Sequence, residues 1–77
     1  MKFDRKKGYS KDEIESTIDK YVNMHLNAER NRAILKRRLI DGLTHEQLAE
    51  EFGLSAISIQ KILYKYEQVV FSHLSWL

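Results

Sequence analysis

Apolar positions along this chain recur at helical spacing, and polar residues with capping or turn-forming chemistry stand at the breaks. Ile14, Ile18, Tyr21, Val22 and His25 repeat every three or four residues, which predicts a first helix over about 10–27. Ser10 precedes it with Glu13 three residues on, the spacing of a capping box, and Asp12 and Glu13 suit the positive end of its dipole. Ala28, Leu35 and Leu39 share one face of a second helix over about 28–41, with Asn27 as its cap and Gly42 as its stop. A short third helix over about 45–52 follows Thr44, whose capping-box partner is Gln47. A fourth, over about 55–72, keeps Ile59, Ile62, Leu63, Tyr66, Val70, His73, Leu74 and Leu77 along one stripe. No strand is predicted. The pattern is that of an all-α, four-helix domain over residues 10–77 with an extended last helix, behind a charged, flexible arm at residues 1–9 that lacks helical periodicity.

The stretch 45–64 carries the feature that points to a job: it reads as a helix-turn-helix. Ala49 is small where two helices must cross closely, and Gly53, four residues later, permits the tight turn because a positive φ costs glycine almost nothing. Ser55 can cap the second helix of the pair. Leu48, Phe52, Leu54, Ile59 and Ile62 are apolar where the two helices share a core. The plainer alternative is a helical hairpin in which Ala49 and Gly53 are packing devices only.

If the motif is of the DNA-binding kind, its second helix lies in the major groove and its first turns reach base edges. The outer side of that helix carries Ile57, Gln60, Lys61, Tyr64, Lys65 and Gln68. The base-reading positions are then Ser55, Ala56, Ile57, Gln60 and Lys61: Gln60 can pair with adenine, Lys61 can donate to guanine, and Ile57 can touch a thymine methyl. Tyr64 and Lys65 fit the phosphate backbone, as does Thr44 ahead of the third helix. Arg30, Ala33 and Arg37 project from the face of the second helix opposite its apolar one, flanked by Lys36 and Arg38. Lys36, Arg37 and Arg38 are expected to meet phosphate oxygens, for which a guanidinium fork is well shaped. The other reading of that cluster is a solvated face partly neutralised by Glu29 and Asp41. The third helix is acidic (Glu46, Glu50, Glu51), so it must turn those charges away from any nucleic acid.

Charge distribution supports an anionic partner. Residues 1–40 hold eleven Lys and Arg against six Asp and Glu, 11 − 6 = +5, and residues 41–77 hold two against five, 2 − 5 = −3, which together make the net +2. With 77 residues the chain is one domain, and the absence of cysteine removes disulfides, thiol catalysis and cysteine–zinc sites. No metal site or cofactor is expected: His25 at the edge of an apolar face is read as a packed side chain, and no second ligand stands at metal spacing. There is no nucleophile–base arrangement and no phosphate-cradling glycine loop, so the chain is not expected to be an enzyme. The longest apolar run is far short of a membrane span and the charged start lacks a signal core, from which a cytoplasmic location is expected.

The last ten residues are richer in apolar side chains than one helix face needs. Val69, Phe71 and Trp76 fall beside or opposite the main stripe. Either Phe71 and Trp76 cover Ile14, Ile18 and Val22 of the first helix, or residues 66–77 form the interface of a homodimer.

The phrase Asp41-Gly42-Leu43-Thr44-His45-Glu46-Gln47-Leu48-Ala49-Glu50-Glu51-Phe52-Gly53-Leu54-Ser55 resembles the fourth region of bacterial sigma factors and related small regulators encoded by phages and mobile elements. The resemblance covers about residues 28–66. It implies a four-helix domain that binds duplex DNA in the major groove and can touch RNA polymerase, with Ala56, Ile57, Gln60 and Lys61 at the reading positions. The sigma pattern commonly has an arginine and a glutamate where this chain has Ala56 and Ile57. No sigma region for a second promoter element precedes the motif, so the expectation is a small DNA-binding transcriptional regulator rather than a complete sigma factor. Two other classes remain open: an adaptor that binds RNA polymerase or another protein, and a DNA-packaging or recombination component.

Overall fold

The computed structural model describes residues 10–23 and 26–74. Among them stand four helices and no strand: α1 (Lys11–Tyr21), α2 (Ala28–Leu39), α3 (His45–Phe52) and α4 (Ala56–His73). The arm at residues 1–9, His25, Trp76 and Leu77 lie outside the described residues.

Two helix starts are fixed by reciprocal side-chain caps. The Ser10 amide donates to Glu13 Oε1 at 2.8 Å while the Glu13 amide donates to Ser10 Oγ at 3.1 Å. Thr44 and Gln47 repeat the arrangement at 2.8 and 3.1 Å. Each box satisfies two amides that a helix start otherwise leaves orphaned.

The first helix ends at Tyr21, well before residue 27, which corrects the boundary expected from periodicity. Val22 leaves the helical region (φ −116°, ψ 70°), and the freed carbonyls find side-chain donors. Asn23 Nδ2 donates to the carbonyls of Asp19 (3.3 Å) and Lys20 (2.9 Å), and Arg32 Nη1, from α2, donates to that of Val22 at 2.9 Å. Val22 nevertheless stays fully buried, so the apolar repeat continues into the core after the helix has stopped. Asn27 occupies the cap position of α2 but makes no side-chain capping bond, a second correction.

The core is one cluster fed by all four helices. Ile14, Ile18 and Val22 come from the α1 segment, Ile34, Leu35 and Leu39 from α2, Leu48 from α3, and Ile59, Leu63, Tyr66, Val70 and Leu74 from the α4 segment. α2 therefore buries Ile34 and the polar Asn31 in addition to the expected Ala28, Leu35 and Leu39. Asn31 Oδ1 accepts from Arg30 Nε and Nη2 at 3.3 and 3.2 Å, which offsets the cost of burying its amide oxygen.

The described part of the tail belongs to this core. Val70 and Leu74 are buried and Phe71 packs against the cluster. Tyr21 and His73 stack with ring centroids 3.6 Å apart and planes 3° from parallel, clipping the ends of α1 and α4 together. Of the side chains that motivated a dimer interface, Leu74 and Phe71 thus pack within the chain, while Trp76 lies outside the described residues. The reason is geometric: α1 packs against α4 as well as α2, and its last residue, Tyr21, meets the last residue of α4. No helix among the described residues is long and apolar enough to cross a membrane.

Candidate nucleic-acid interface

The geometry of the candidate face starts from the turn between α3 and α4. Gly53 adopts a left-handed conformation (φ 68°, ψ 32°), and the amides of Gly53 and Leu54 both reach the Ala49 carbonyl, the latter at 3.0 Å. A Cβ at Gly53 would meet nothing within 4 Å, so glycine is there for its φ and not for space. An alanine in that conformation costs about 1–2 kcal/mol. Ala49 is half-buried and packs with Phe52, Leu54 and Ile62 against the core, which locks α3 onto the first turns of α4.

Ser55 starts α4 as its cap. Its Oγ accepts from the Ser58 amide at 3.0 Å and its hydroxyl lies 2.9 Å from Ser58 Oγ as donor. The hydroxyl expected to read a base is thus held by the helix start itself. The remaining sequence-derived reading positions are all solvent-facing: Ala56, Ile57, Gln60 and Lys61, followed by Tyr64, Lys65 and Gln68. Ile57 is 65% exposed and Tyr64 73%, unusually open for large apolar side chains. Lys65 Nζ rests 5.4 Å from the Tyr66 ring centre, and among the described residues no carboxylate pairs with Lys61 or Lys65. α4 contains one acid, Glu67.

The cations of α2 are placed differently. Lys36 Nζ sits 2.8 Å from Asp19 of α1, with Arg32 Nε 3.8 Å from the same oxygen. Arg37 Nε and Nη2 hold the Glu51 carboxylate of α3 at 2.8–3.2 Å, and its Nη1 holds Asp41 at 2.8 Å. Those hydrogen bonds, the one to Glu51 first, push the Arg37 guanidinium pKa above its ordinary value. Arg38 Nη1 donates to the Leu43 carbonyl at 2.7 Å, tying the end of α2 to the loop before α3. Lys36, Arg37 and Arg38, expected at phosphates, are therefore all engaged within the chain, whereas Lys61 and Lys65 have no ion-pair partner among the described residues. Glu51 is directed at Arg37; Glu46 and Glu50 are exposed.

One grouping was not anticipated from the sequence. Arg38, His45, Gln60, Leu63, Tyr64 and Glu67 line a cavity of about 170 Å³ beside the outer face of α4. Burial pushes the Glu67 carboxyl above its ordinary value, opposed by the positive field of Arg38 and by His45. Glu67 stands three residues after Tyr64 and seven after Gln60, so its place on the border of that face was available from spacing. The approach of Arg38 and His45 from two other elements was not. Among the described residues no three His, Cys, Asp or Glu side chains gather as a metal site would require.

No family model matches the chain, and neither a curated protein nor a solved structure matches it.

Proposed function

We propose that this chain is a small DNA-binding transcriptional regulator that lays the first turns of α4 in the major groove, with α3 and the Gly53 turn forming the rest of a helix-turn-helix. One observation supports this most: among the described residues the outer face of α4 presents two lysines without ion-pair partners and no carboxylate over residues 56–66, while all four arginines are engaged within the chain. Polar readers and cations combined on one exposed helix face suit a groove lined by base edges and flanked by phosphates. Gln60 and Lys61 are the base-contacting candidates, and Lys65, Tyr64 and Thr44 the backbone-contacting ones.

Binding to a pool of randomised duplexes, titrated with salt, tests this reading. Wild type is expected to bind at low salt with affinity falling steeply as salt rises, and Lys65→Ala to flatten that slope by about one unit. Absence of duplex binding at low salt rejects it.

A second reading draws on the exposure of Ile57 and Tyr64, which is also what a protein-docking face presents. In that reading the chain is an adaptor for RNA polymerase or another protein, and duplex binding is missing or insensitive to Lys61 and Lys65.

A further inference from the structure

The face offered to the duplex is short of hydrogen-bonding groups where a reading helix most needs them. Ser55 spends its hydroxyl on the start of α4. The next two side chains, Ala56 and Ile57, have no polar atom at all, and both are exposed. Ser58 is half-buried and its Oγ accepts from Ser55, so Gln60, one turn on, is the first exposed side chain with directional hydrogen-bonding groups, and no arginine stands on the face. Ile57, 65% open to solvent, gains from burial only against an apolar surface.

The major groove offers one apolar group, the C5 methyl of thymine. Cytosine has only a C5–H at the matching position, and the other features are donors or acceptors: N7 and O6 of guanine, the N4 amine of cytosine, N7 and the N6 amine of adenine, O4 of thymine. Ala56 or Ile57 pressed on a G·C pair strips water from polar groups and returns no hydrogen bond, a penalty rather than mere indifference. Pressed on a thymine methyl, the same side chains bury apolar area on both partners. Gln60 adds the side chain whose amide matches the N7 and N6 pattern of adenine. The field is suitable as well, since no carboxylate occupies the outer side of these turns.

We infer that Ala56, Ile57 and Gln60 form an A·T-reading element in which Ile57 recognises the thymine C5 methyl. This inference rests on the proposed duplex binding and names what that binding selects. Specificity then comes from a favourable methyl contact and from the unpaired polar edges that a G·C pair presents to Ala56 and Ile57.

The test compares full-length wild type and Ile57→Ala on three duplexes of one length at one low salt concentration. They are a mixed A·T duplex, the same duplex with deoxyuridine in place of every thymidine, and a G·C duplex. Deoxyuridine removes the methyl and keeps the pairing edge. Wild type is expected to bind the thymine duplex more tightly than the G·C duplex, and to lose about fourfold in affinity for each methyl contact that deoxyuridine removes. Ile57→Ala is expected to bind the thymine and uracil duplexes equally while keeping the thermal unfolding of wild type, because the side chain lies outside the core. Equal wild-type affinity for thymine and uracil duplexes overturns the inference, as does tighter binding to G·C, or discrimination that survives in Ile57→Ala. Each of those outcomes leaves duplex binding itself standing. Failure of wild type to bind any of the three duplexes removes the inference together with the functional reading beneath it.

Discussion

The guanidinium of Arg37 on α2 grips both carboxylate oxygens of Glu51 on α3, through Nε at 3.1–3.2 Å and Nη2 at 2.8 Å. Its remaining edge is taken by Asp41 at 2.8 Å. The guanidinium is thereby neutralised twice, by the acid four residues on and by one from another helix, and one of the acidic side chains of α3 is aimed at α2.

That pairing predicts how the basic residues divide between DNA and fold. Arg37→Ala is expected to leave the salt dependence of duplex binding close to that of wild type, while Lys65→Ala flattens it by about one unit. Salt titrations of both variants on one duplex check the contrast. A slope lost equally in the two variants would return Arg37 to the phosphate backbone.

Glu67 predicts a pH dependence of stability. Burial raises its folded-state pKa above the ordinary value of 4.5. The folded chain therefore holds this proton more tightly than the unfolded chain. The group's contribution is fully present below the unfolded value and is lost as pH rises through the folded one. Glu67→Gln, which cannot ionise, is expected to melt above wild type at neutral pH, and the difference is expected to vanish as pH falls below about 4.5. Melting curves of the two proteins between acid and neutral pH measure it; an unchanged difference across that range contradicts the assignment.

The far end of α4 predicts a structural role for the tail. Leu74 is 5% exposed in the same cluster as Ile14, Ile18 and Val22. Leu74→Ala is expected to cost about 2 kcal/mol, toward the low end for a buried leucine because a helix end can partly collapse into the space. Denaturant unfolding gives the stability and sedimentation the mass. Loss of stability with an unchanged mass assigns Leu74 to the core of a single chain; a wild-type dimer that dissociates on the substitution assigns it to an interface.

Much of this architecture was legible in the sequence, because its signals are local. The Ser10–Glu13 and Thr44–Gln47 boxes and Gly53 at the turn act within a few residues, and the structure has them as the spacing implied. Most of the helical stripe of α4 was legible for the same reason: Ile59, Leu63, Tyr66, Val70 and Leu74 are buried and Ile62 is half-buried, but His73 is exposed and stacks on Tyr21, and Leu77 lies outside the described residues. The end of α1 was not legible. Val22 remains in the core after leaving the helix, so burial periodicity runs past the backbone break. The donor that satisfies the Val22 carbonyl is Arg32, ten residues away. The Arg37–Asp41 pair, four residues apart, was available from spacing, but the partners of Lys36 and Arg38 and the grip of Arg37 on Glu51 were hidden, since each depends on which acid or carbonyl another segment brings near. Exposure of the α4 outer face was legible, but the cavity beside it was not, because Arg38 and His45 arrive from α2 and the start of α3.

The most direct test of the central claim is where a duplex touches the chain. Amide chemical-shift mapping of the isotopically labelled full chain, titrated with a duplex of about 20 base pairs at about 50 mM salt, locates that contact. The largest shifts are predicted between Ala56 and Lys65, with smaller ones at Thr44 and His45 and little change over α1. Shifts centred on α1, or no shifts at all in that salt, would contradict the assignment of α4 as the reading helix.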